Sequence, residues 1–148
     1  MLRAHRVVGV LFVIVFVATG VYMRLGFPDL HMNDPVMRMS FRSAHVYILL
    51  TAMINLLLGV HLRPPAGTSA RRLQSAGSMC LLATPGLMTA AFFVEPGPGL
   101  LLRPIVLPAL IVAIVGCALH LVAARRPPRY NMPRSDPEGA GPLRPTGL

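Results

Sequence analysis

The chain contains no Lys and no Trp, and its 148 residues include only five Asp or Glu. Charged residues make up 13% of it, against about 25% in an ordinary soluble domain. With 54% hydrophobic residues, this excludes a disordered chain, and a soluble globule of this size could not bury so large an apolar share. The two Cys, Cys80 and Cys117, each lie inside an apolar run, which excludes a disulfide framework and a zinc-type spacing. No GxSxG, P-loop, HExxH, Ser-Lys dyad or carboxylate pair is present, so the sequence names no reaction. The net charge of +9 comes from 14 Arg that flank apolar runs instead of forming one patch, which argues against a nucleic-acid partner.

Four apolar runs dominate: Val7–Met23, Val46–Leu62, Leu73–Val94 and Pro104–Ala124, of 17, 17, 22 and 21 residues. About 20 residues at 1.5 Å each cross a bilayer core of about 30 Å. Lipid offers no partners for backbone amides, so each run is expected to be a helix. The fold class is therefore an all-α membrane protein, a four-transmembrane-helix up-down bundle over residues 1–124. The second helix is expected to start early, with Asn33 or Asp34 as its cap and Pro35 as its first residue, giving 35–62. Pro85-Gly86 should kink the third, and Glu95-Pro96-Gly97-Pro98-Gly99 should end it. The first run reads as an uncleaved anchor, because Tyr22 and Met23 prolong it beyond the small residues Ala18-Thr19-Gly20.

Ten Arg fall at the N-terminus, the second loop and the C-terminal tail, and four fall on the opposite side. By the positive-inside rule both termini are cytoplasmic, in a multi-pass protein of the bacterial inner membrane. The Pro- and Arg-rich segment 125–148 cannot bury a core and is expected to be a disordered tail. Its Arg125, Arg126 and Arg129 abut the membrane and suit anionic lipid.

Four groups of residues could carry function. Small residues at steps of four, Ala76, Cys80 and Thr84 on the third helix and Ala109, Ala113 and Cys117 on the fourth, suggest a close-packed seam with Cys80 and Cys117 at equal depth. A polar cluster at the outer side comprises Arg38, Arg42 and His45, with Asn55 deeper in the span, and Glu95 and Arg103 at the ends of the third and fourth helices. Its bland reading is a salt-bridge cluster that fixes helix ends. His31, Met32, Met37, Met39 and His45 offer thioether and imidazole groups suited to Cu(I). His61 and His120, near the cytoplasmic helix ends, could ligate a haem. The preferred reading is a non-enzymatic accessory or scaffold protein without a cofactor, in contact with a homo-oligomeric or other membrane partner. The alternative is a metal- or haem-handling membrane protein that uses these His and Met residues.

Overall fold

The computed structural model describes residues 1–30, 34–62, 67–95 and 103–125. The described residues form four helices and no strand: α1 (Leu2–Leu30), α2 (Pro35–His61), α3 (Thr68–Val94) and α4 (Val106–Arg125). All four are long and apolar enough to cross a membrane. Residues 126–148, the expected tail, lie outside the described part.

All four helices start away from the first residue of their apolar runs, α2 at the Pro35 that its cap predicts. α1 begins at Leu2 and α3 at Thr68, five residues ahead of each run, whereas α4 begins at Val106, two residues late. Hydropathy marks the part of a helix that suits hydrocarbon, and Arg3, Arg6, Arg71 and Arg72 are good helix formers that carry the turns outside it. α2 starts at Pro35. The Asp34 carboxylate accepts hydrogen bonds from the amides of Val36 (2.9 Å) and Met37 (3.1 Å). These are two of the four amides that a helix start leaves unpaired, and Pro35 has no N–H to lose.

Successive helices run antiparallel. His5 meets Asn55 while Thr19 meets His45, so α1 and α2 run in opposite directions. Asn55 meets Leu81 while Phe41 meets Phe92, which reverses α3. Ser78 meets His120 while Glu95 meets Val106, which reverses α4. α1 packs on α2, α2 on α3 and α3 on α4, with a lighter α1–α3 contact. One end of the bundle thus holds His5, Asn55, Ser78 and His120. The other holds Ser40, Glu95 and Arg103.

The apolar core lies toward the Glu95 end. Phe41, Ala44 and Ile48 of α2 meet Met88, Ala91 and Phe92 of α3 and Val106 and Ala109 of α4, with Phe12, Val15 and Phe16 of α1 against them. Many exposed side chains of the same helices are also apolar, among them Val7, Ile14, Val46, Leu57, Ile111 and Ile114.

The α3–α4 seam is built on glycine. A Cβ on Gly77 would lie 2.9 Å from the Gly116 carbonyl oxygen, and one on Gly116 would lie 3.1 Å from the Gly77 oxygen and 2.8 Å from Leu81 Cγ. This shifts the expected small-residue stripes. Thr84, Ala109 and Ala113 are buried as a seam requires, and Cys80 brings its Cβ toward Gly116. Ala76 and Cys117 are exposed instead. One residue along a helix is a turn of about 100°, so the closest approach falls at Gly77 and Gly116, where no side chain intervenes.

Candidate functional site

The most connected polar group starts from a backbone defect. Pro85 lies inside α3 and has no N–H, so it cannot bond the carbonyl four residues earlier, that of Leu81. Leu81 and Pro85 are both fully buried, and a buried carbonyl needs a partner. Asn55 of α2 supplies it: its Nδ2 donates to Leu81 O at 2.8 Å and to Thr51 O at 2.9 Å. Both acceptors are carbonyls, which fixes the amide. Nδ2 takes those two contacts, and Oδ1 faces the other way.

Oδ1 meets His5 Nδ1 of α1 at 2.7 Å. An amide oxygen only accepts, so His5 carries its proton on Nδ1 and donates it. His5 is fully buried, and its Nε2 has no hydrogen-bond partner. The His5 ring stands edge-on to that of His120 of α4, with centroids 6.2 Å apart. His120 Nε2 lies 3.3 Å from the hydroxyl of Ser78 on α3. All four helices therefore contribute to one polar tier.

Arg6, next to His5, donates from Nε to the Gly59 carbonyl at 2.6 Å. Gly59 O is among the last four carbonyls of α2, which lack helical partners, and a cation there also suits the helix dipole. The helices approach closely at this point: a Cβ on Gly59 would lie 2.9 Å from Arg6 N.

The opposite end holds a second group. Glu95, the C-cap of α3, is buried, and its Oε1 accepts from the amides of Ile105 and, at 3.0 Å, Val106. It thereby caps the start of α4 across the connection. Its Oε2 lies 3.4 Å from Arg103 Nε. Arg103 also donates from Nη1 to Ser43 Oγ at 2.6 Å and from Nη2 to Ser40 O at 3.1 Å, which ties this connection to α2.

The expected outer cluster is thus divided. Glu95 and Arg103 are together. His45 turns to α1, where it stacks on Phe16 (centroids 4.0 Å apart) and meets the Thr19 hydroxyl at 2.9 Å. Arg38 and Arg42 are exposed, and Asn55 belongs to the tier at the far end. Of the thioether and imidazole group, His31 and Met32 lie outside the described residues. Met37 packs on the core and Met39 is 74% exposed, so the structure does not gather them with His45. His61 and His120 line one open groove of about 360 Å³ with Leu58, Gln74 and Leu121. His61 donates from Nδ1 to Leu57 O at 3.1 Å. Among the described residues no three His, Cys, Asp or Glu converge to hold a metal ion.

Sequence reasoning missed His5, Ser78, Ser40, Ser43 and Thr19. A signal for the first was present. His5 and Gly9, Asn55 and Gly59, and Gly116 and His120 are each four residues apart, so each helix presents a glycine and a polar side chain on one face. Compared with protein-family models, with curated proteins and with solved structures, the chain matches none.

Proposed function

We propose that this chain is a multi-pass protein of the bacterial inner membrane, with both termini in the cytoplasm, that acts as a non-enzymatic accessory or scaffold protein. The observation that carries this reading is where the polar side chains point. His5, Arg6, Thr19, His45, Asn55, Ser78, Glu95 and Arg103 each reach a neighbouring helix or its end. Such groups fix helices to one another. An enzyme or transporter aims them at a ligand.

The outward faces are apolar and fit lipid or a second membrane protein. α1 has the most face to offer: only 11% of its most apolar stretch is buried within the chain. A partner helix or a second copy fits along Val10, Ile14 and Val17, all exposed. Arg125, followed in sequence by Arg126 and Arg129, stands at the end where anionic headgroups would sit.

Photo-crosslinkers placed at Val10, Ile14 and Val17 test this in cells. One discrete protein adduct from α1, with lipid adducts alone from Ile111 and Ile114 of α4, is the expected result. Lipid adducts alone from both faces would defeat the partner reading. One observation favours a second reading, haem binding: His61 and His120 share a groove. A Soret band from the purified protein, lost in His61→Ala and His120→Ala, would replace the scaffold reading with that one.

A further inference from the structure

α2 and α4 share the apolar core at the Glu95 end, where Phe41 and Ala44 join Val106 and Ala109. Toward the other end they leave a gap, the open groove of about 360 Å³. Leu58 and His61 of α2 form one wall, and His120, Leu121 and Ala124 of α4 form the other. Gln74 lies between them on α3, which packs on both helices.

The groove starts at the helix ends. α2 stops at His61 and α4 at Arg125, so Leu58 and Leu121 lie three and four residues inside, about 4.5 and 6 Å. In a bilayer this stretch falls where headgroups give way to hydrocarbon. Cations stand at its mouth. Arg125 follows Leu121 by four residues, and Arg71 precedes Gln74 by three, toward the same end of the bundle. Residues at those spacings are neighbours on a helix surface, and both Arg are exposed.

Charge and wall chemistry select the occupant. The acids with described side chains, Asp34 and Glu95, cap helices at the opposite end, so an anion here meets none of them. Guanidinium presents forked donors that match phosphate oxygens. A small aqueous anion would leave Leu58 and Leu121 uncovered. A zwitterionic lipid would bring a second cation to the Arg pair. A phospholipid with net negative charge suits the mouth and the walls together.

We propose that the groove between α2 and α4 binds one anionic phospholipid, its phosphate between Arg71 and Arg125 and one acyl chain against Leu58 and Leu121. The inference rests on the reading of this chain as a membrane protein. Native mass spectrometry of the full chain from detergent micelles, with phosphatidylglycerol or phosphatidylcholine added at equal concentration, tests it. One phosphatidylglycerol should stay bound, at roughly ten times the occupancy of phosphatidylcholine. Arg71→Gln and Arg125→Gln together should reduce that preference to about twofold or less. Ala124→Phe fills the groove and should remove the adduct, whereas Ile111→Phe on the outward face of α4 should leave it. Equal retention of the two lipids would overturn the proposal, as would an adduct indifferent to both the Arg pair and Ala124→Phe. Inorganic phosphate that displaces the lipid would overturn it too, because the chain would then contribute nothing. Haem that displaces the lipid, or a dimer lost in Ala124→Phe, would assign the groove to that occupant instead. Should Ala124→Phe fail to fold, the Arg pair and the two lipids still decide. Carbonate extraction of reconstituted vesicles separates the two failures. A chain retained in the vesicles without lipid preference sinks this inference alone, and a chain released from them sinks the membrane reading with it.

Discussion

The link from Pro85 to Asn55 can be tested by restoring the backbone donor that proline lacks. In the unaltered chain, Asn55→Ala strips the partner from Leu81 O and from His5 Nδ1, both buried. Each group left unpaired costs about 1 to 3 kcal/mol. In Pro85→Ala the new N–H at residue 85 bonds Leu81 O within α3, as in any uninterrupted helix. Asn55→Ala then leaves only His5 unpaired. The penalty for Asn55→Ala should therefore be smaller in the Pro85→Ala background by about 1 to 2 kcal/mol. The volumes lost at positions 55 and 85 cancel in the cycle, since each appears in two of its legs. Reversible unfolding in mixed micelles, followed for the parent, both single variants and the double variant, gives the coupling. Additivity within about 0.5 kcal/mol would refute the reasoning, because residues without a shared partner behave that way. A coupling of opposite sign would refute it as well.

Gly77→Ala should destabilise by about 1 to 3 kcal/mol, since its Cβ would meet the Gly116 carbonyl oxygen at 2.9 Å and the backbones must part. Gly86→Ala on the same helix meets nothing nearer than Phe12 Cζ at 3.9 Å and should be neutral or gain up to about 1 kcal/mol, so the pair separates packing from helix propensity in thermal melts. Glu95→Gln keeps an acceptor for the α4 amides and should lower stability modestly. Glu95→Ala loses that cap and should cost about 1 to 2 kcal/mol more by the same assay. A reporter active only in the periplasm, fused after Leu148, should stay silent, and activity there would reverse the proposed orientation.

The four helices were legible because hydropathy over about 20 residues is a coarse, redundant signal. The α2 cap was legible for a different reason: Asp34-Pro35 carries its own local chemistry. Contacts between helices were less so. The small-residue stripes pointed to the correct pair of helices but missed the closest approach by one position, at Gly77 beside Ala76 and Gly116 beside Cys117. Periodicity of four fits several stripes on one helix, and only the facing helix chooses among them. His5 was hidden by its neighbours. Between Arg3 and Arg6 it looks like part of a charged flank, yet its burial depends on a residue fifty positions away.

That dependence gives these polar residues a common cause. Pro85 removes one amide from α3, which obliges some neighbour to bond Leu81 O. A side chain that donates to Leu81 O and Thr51 O with both amide hydrogens must present an acceptor on its other side, so Asn55 requires a donor in turn. His5 is that donor, and its other ring nitrogen, Nε2, is left without a hydrogen-bond partner inside the bundle. Each step follows from hydrogen-bond capacity alone. The order in which the groups are forced, Pro85, Leu81, Asn55, His5, crosses three helices and runs against the order of the chain. For that reason a reading along the chain finds Pro85 as a kink and Asn55 as a polar residue, and meets His5 before there is any reason to notice it.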